Sequence, residues 1–130
     1  MTEAELQRAV IVALSKDPCV RLWRQNVGVA VPLHQLRLWL ARRGYLPMSA
    51  PMPGDLHPVR YCVPGAGDLS GLVGPTGRRL ELEVKAPDGR PRVSTEQRNF
   101  GEMVGSLGGV WGVVQSLEEA LEAVAEARQT

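Results

Sequence analysis

Asp68, Glu83, Lys85 and Gln97 are the residues whose types and spacing could do chemistry. Glu83 and Lys85 lie in "RRLELEVKAP", residues 78–87, where Leu80, Leu82 and Val84 alternate with Glu81, Glu83 and Lys85. That is the period of a strand with one buried face and one polar face. Asp68 follows "PGAG" at the start of the preceding extended run, and two adjacent antiparallel strands can bring an aspartate and a glutamate together at one edge of a sheet. Such a pair suits a hard divalent cation, because Mg²⁺ takes oxygen ligands, usually one or two carboxylates plus water and substrate phosphate. The backbone carbonyl of Val84 could add a ligand. Lys85, on the face of Glu83, could orient or activate an attacking water and offset charge on a phosphate. Gln97, early in the following helix, could hydrogen-bond water or substrate at the same edge. Each residue also has an ordinary reading: E-x-K is common on a solvated strand face, an aspartate after glycine is a turn residue, and Gln97 can close a capping box with Ser94. Glu81 shares the face of Glu83 without a role in the pattern, so Glu81→Ala is expected to be nearly silent.

The elements that must position these groups are legible from periodicity and punctuation. "TEAELQRAVIVALSK" predicts a first helix, with Thr2 as N-cap, Glu5 completing a capping box, and Leu6, Val10, Ala13 and Leu14 on one apolar stripe. "CVRLWRQNVGVAV" predicts a strand, bulged at Gly28. "PLHQLRLWLARRG" predicts a short basic helix, with Leu33, Leu36, Trp39 and Leu40 at helical spacing, core packing of Leu36, Trp39 and Leu40 the leading expectation against an interface with a partner, and Gly44 as a C-cap. "YLPMSAPMPGDLHP" has four prolines and reads as an excursion from the main fold. "VRYCV" and "GAGDLSGLVG" read as extended runs, and the "PTG" turn makes the second antiparallel to "RRLELEVKA". A helix from Ser94, a buried strand at "VWGVVQS" and a closing helix at "LEEALEAVAEARQT" complete an α/β sandwich with a mixed sheet.

At 130 residues the chain is expected to form one domain, with an insert at about 32–57. Hydrophobic residues at 44% and charged residues at 22% are those of a globular protein and exclude disorder as the default. Cys19 and Cys62 are widely separated single thiols, a pattern that fits a reducing, cytoplasmic compartment. No signal, anchor or membrane-spanning segment is expected. Cys19, His34, His57 and Cys62 lack the spacing of a zinc site, and "GAGDLSG" runs into a strand without the third glycine of a dinucleotide fingerprint. Net charge is +1, but Arg21, Arg24, Arg37, Arg42, Arg43 and Arg60 face a single acid, Asp55, over residues 21–60. Such a segment is compatible with a phosphate backbone partner or with a plain solvated surface.

At these residues the sequence resembles the virus-type replication-repair nucleases (VRR-NUC) of the PD-(D/E)XK superfamily. The resemblance rests on Glu3, Leu6 and Gln7 in the first helix, then "RQNVG", "PGAGDLSGLV", "LELEVKAP" and "STEQRNF" leading into "GGVWGVV". It implies a restriction-endonuclease-like core, a central mixed sheet flanked by helices, carrying the basic helix and Pro-rich loop as an insert. It implies metal-binding acids at Asp68 and Glu83, the family lysine at Lys85, its glutamine at Gln97 and its helix glutamate at Glu3. Glu5 competes for that last role, but the capping box assigns Glu5 to the backbone and leaves Glu3 paired with Gln7 at i, i+4. Gly67 stands where the superfamily has proline. The activity implied is a Mg²⁺- or Mn²⁺-dependent endonuclease on branched DNA such as four-way junctions, acting as a homodimer, since two cuts in a symmetric junction need two sites related by a two-fold axis. A phage-encoded protein in a host cytoplasm is compatible with it. Arg24 is the first candidate for a phosphate contact, with Arg37, Arg42 and Arg43 on the inserted helix. The competing expectations are a non-catalytic DNA-binding module on the same fold and a restriction-like cutter of plain duplex.

Overall fold

Thr2 starts α1 (Glu3–Leu14) through a reciprocal box: its hydroxyl accepts from Glu5 N–H, and Glu5 Oε2 accepts from Thr2 N–H at 2.6 Å. Two of the orphan donors at a helix start are thereby satisfied. Glu5 is committed to this cap, which leaves Glu3 for other contacts. Leu6, Gln7, Val10 and Leu14 form the buried stripe, with Ala13 only half-buried. The structure, a computed structural model, describes residues 1–25, 33–47 and 63–129. It divides into two compact units, Met1–Asn26 with Cys62–Thr130, and Val27–Tyr61.

In the first unit α1 is followed by β1 (Val20–Arg24), β2 (Leu69–Val73), β3 (Arg78–Val84), a helix over Thr95–Ser106, β4 (Val110–Val114) and a helix over Leu117–Arg128. The strands form one mixed sheet in the order β1-β2-β3-β4, with antiparallel β1–β2 and β2–β3 pairs and a parallel β3–β4 pair. The helix between β3 and β4 is the crossover that a parallel pair requires. The expected antiparallel hairpin is present, closed by a turn through Pro75 and Gly77. Gly28, all of "VRYCV" but Val63, and most of the Pro-rich excursion lie outside the described residues, as do Arg60, His57 and Cys62.

Sequence alternation sorts the sheet into two unlike faces. Val20, Leu69, Val73, Leu80, Leu82, Val84, Val110 and Val114 pack with α1 and the C-terminal helix in one aliphatic core. Burying each such side chain contributes about 1.5–3 kcal/mol. The register row Trp23, Ser70, Glu81 and Trp111 belongs to the opposite face. There the helix Thr95–Ser106 lies close: a Cβ on its Gly101 would overlap the Trp111 ring. That cover explains why β3 is buried on both faces from Leu80 to Val84, where alternation alone predicted one solvated face.

The second unit holds the helix Leu33–Arg42, with the bounds its periodicity predicts. Gly44, at φ +75°, ends it with a pair of bonds, Gly44 N–H to Ala41 O and Tyr45 N–H to Leu40 O. This is the glycine-terminated stop expected after "ARRG". No residue of this helix is buried, and Trp39 is 49% exposed, stacked with Tyr45 and capped by the Arg43 guanidinium at 4.9 Å.

Candidate functional site

We number the helices α1, α2 (Leu33–Arg42), α3 (Thr95–Ser106) and α4 (Leu117–Arg128). The site forms at the end of the sheet where β1, β3 and β4 finish and β2 begins. The β2–β3 register pairs Leu69 with Leu82, so one further step sets Asp68 opposite Glu83. Two glycines make this approach possible. A Cβ on Gly67 would stand 2.9 Å from Leu82 O, and a Cβ on Gly65, whose φ is +81°, would overlap the carbonyl of Glu96. The "PGAGD" loop therefore lies against both β3 and the first turn of α3, as only glycine permits.

Asp68 is half-buried, and its Oδ2 accepts from Val84 N–H at 2.9 Å. The N–H and C=O of one strand residue point to the same side, so the Val84 carbonyl also faces the Asp68 edge. Glu83 is 4% exposed, and its Oε1 accepts from Lys85 Nζ at 2.7 Å and from Gln97 Nε2. The pair is thus no solvated cross-pair. Gln97 does both things its position allowed: Oε1 accepts from Ser94 N–H at 2.9 Å, closing the capping box of α3, while Nε2 reaches Glu83. Burial, above all, raises the Glu83 carboxyl above the usual carboxylate range. The charges of Asp68 and Glu3 push the same way, against the hydrogen bond and charge of Lys85.

Four of the expected residues, Asp68, Glu83, Lys85 and Gln97, are therefore brought together. Glu3 stands at the start of α1 and lines, with Lys85, a shallow cleft of about 210 Å³. Its influence on Glu83 is that of a nearby charge. Arg24 is exposed at the end of β1 and donates from Nη2 to Gln7 Oε1 at 3.0 Å. Arg37, Arg42 and Arg43 belong to the second unit.

Asp68, Glu83 and the Val84 carbonyl are the oxygen donors at this sheet end that could hold a hard divalent cation. Among the described residues no group of three or more His, Cys, Asp or Glu side chains could hold an ion. Two carboxylates with one carbonyl could hold an ion such as Mg²⁺ or Mn²⁺ that keeps several waters, and are too few for an all-protein cage.

Glu81 is not the solvated bystander its strand position suggested. It is 1% exposed; Oε2 accepts from Ser70 Oγ at 2.8 Å and Oε1 from Arg79 Nε at 2.6 Å. Ser70 Oγ also bonds Gln25 Oε1, and the Arg79 guanidinium lies 5.6 Å from the centre of the Trp23 ring. Ser70, two residues after Asp68 and on the same face, was the available signal. Compared with models of known protein families, with curated proteins and with solved structures, the chain finds no match.

Proposed function

We propose that this protein is a divalent-metal-dependent DNA endonuclease with a restriction-endonuclease-like core, selective for branched DNA such as four-way junctions. The observation that carries the reading is Asp68 opposite Glu83 at one sheet end, with Lys85 and Gln97 both donating to Glu83. Strand patterning alone leaves E-x-K ambiguous, whereas a buried carboxylate that gathers a lysine and an amide beside a second carboxylate has the composition of a phosphodiester hydrolysis site.

On this reading Asp68, Glu83 and the Val84 carbonyl would hold Mg²⁺ or Mn²⁺. When bound, the ion would lower the pKa of its water and stabilise charge on the scissile phosphate. Lys85 orients the attacking water and offsets phosphate charge, Gln97 holds Glu83 in place, and Glu3 adds negative potential that favours the cation. Arg24 contacts phosphate from the end of β1. The exposed Leu36 and Trp39 on α2 support association through the second unit, and a homodimer would present two sites to a symmetric junction.

Purified protein is to be assayed on synthetic four-way junction, flap and duplex DNA with Mg²⁺ or Mn²⁺. Cleavage of the junction in preference to duplex, lost in Asp68→Ala and Lys85→Ala, supports the reading. A second reading follows from Glu83 accepting from both Lys85 and Gln97: the acids stabilise a DNA-binding module of the same fold. That reading predicts salt-sensitive DNA binding that is indifferent to metal and no cleavage of any substrate.

A further inference from the structure

We propose that the β3–α3 loop is a phosphate clamp, in which Arg90 and Arg92 grip the backbone of the DNA strand that enters the Asp68–Glu83 site. The inference rests on the nuclease reading above and adds the residues that hold its substrate. The cleft lined by Glu3 and Lys85 continues onto Asp88, Arg90 and Arg92 and is floored by Gln115.

The loop is a built element. Gln115 follows β4, and its Nε2 donates to Ala86 O at 2.8 Å and to Gly89 O at 3.0 Å. Its own N–H donates to Glu119 Oε2 at 2.6 Å, which ties the loop to the start of α4. Gly89, at φ +88°, supplies the turn in a region that side chains resist. Pro91 fixes its own φ and restricts Arg90 to extended backbone, so the two arginines sit on a stiff tripeptide.

The two guanidinium groups are exposed, and neither has an ion pair or hydrogen bond among the described residues. In contrast, Arg78 is spent on the carbonyls of Gly108, Glu126 and Gln129, Arg79 on Glu81, and Arg128 on Asp17. Lys85 is paired with Glu83 and, in the proposed function, serves the reacting phosphate itself. Arg90 and Arg92 are thus the cations of this cleft left to meet an outside anion, against Asp88 in the same loop and Glu3 beside Glu83. Planar, multi-donor guanidinium groups on a rigid support are suited to phosphate oxygens, which position a strand without reading its sequence.

The test is DNA binding by fluorescence anisotropy, with metal withheld, across a range of salt concentrations. It compares the wild type, Arg90→Gln/Arg92→Gln, and Lys16→Gln/Arg21→Gln, which removes the same charge at the opposite end of the sheet. Loss of two phosphate contacts is expected to make the slope of log K against log salt shallower by about two and to weaken binding at 0.15 M salt roughly thirtyfold. The control pair is expected to keep the wild-type slope. In the cleavage assay the loop variant is expected to raise KM and leave kcat unchanged. A loop variant with the wild-type slope, or a wild type without salt-dependent binding, overturns the clamp. If the wild type cuts junctions while the loop variant binds unchanged, the clamp fails and the nuclease reading stands. If binding follows the expected slopes but no metal elicits cleavage, the nuclease reading fails and the phosphate contact stands.

Discussion

Glu81 and Glu83 stand two residues apart on one strand, both almost fully buried, and do opposite things. Glu81 is ion-paired with Arg79 and accepts a hydrogen bond from Ser70. Glu83 faces Asp68, and its ionised form is disfavoured. Glu81→Ala should therefore lower stability by about 1–3 kcal/mol in denaturant unfolding, the half-exposed Arg79 keeping the loss below that of a fully buried pair. Glu83→Gln should act in the other direction at neutral pH. Because the folded-state pKa of Glu83 is raised, the folded protein binds more protons than the unfolded chain between the ordinary carboxylate pKa and the raised one. Its contribution to stability is fully present below that window and is lost as pH rises through the folded value. Thermal melts across pH should show the wild type losing stability through this window relative to Glu83→Gln. Of the two, strand alternation made Glu83 legible as a candidate and put Glu81 on the right face but missed its burial, because periodicity assigns a face but not what covers it.

At the scale of elements, the site depends on a glycine loop and a helix cap that carry more than local structure. Gly65→Ala places a Cβ at a positive φ and against the Glu96 carbonyl, and should cost more than about 1 kcal/mol while separating Asp68 from its place opposite Glu83. Circular dichroism melts together with the cleavage rate check both effects. Gln97→Glu retains a capping-box acceptor for Ser94 N–H but replaces the amide donor to Glu83. Helix content by circular dichroism should persist while cleavage falls. The capping boxes, the glycine-ended helix at Gly44 and the β2–β3 hairpin were legible because each is set by neighbours within a few residues. The buried cover over β3 was not, because it depends on Gly101 meeting Trp111 across ten residues of chain and a change of element. Gln115 under the β3–α3 loop was equally hidden, its partners lying 26 and 29 residues away.

At the scale of the whole chain, the α/β class and the order of elements follow from pattern, since an aliphatic face on four strands demands helices to cover it. Leu82 lies in the middle of that face and is fully buried, so Leu82→Ala should destabilise by about 2–5 kcal/mol. A near-neutral result in equilibrium unfolding would contradict the packing described. In the second unit, apolar residues at helical spacing indicate that a face wants covering, and spacing is silent on which surface covers it. In the proposed function, Asp68 and Glu83 with Lys85 hydrolyse DNA with the help of a divalent cation. The most direct test of this is the single-turnover cleavage rate of a four-way junction with Mn²⁺, comparing wild type with Lys85→Ala. A rate that requires the metal and falls at least about a hundredfold in the variant is the predicted result. Equal rates in the two proteins, or no cleavage by the wild type at any metal concentration, would contradict it.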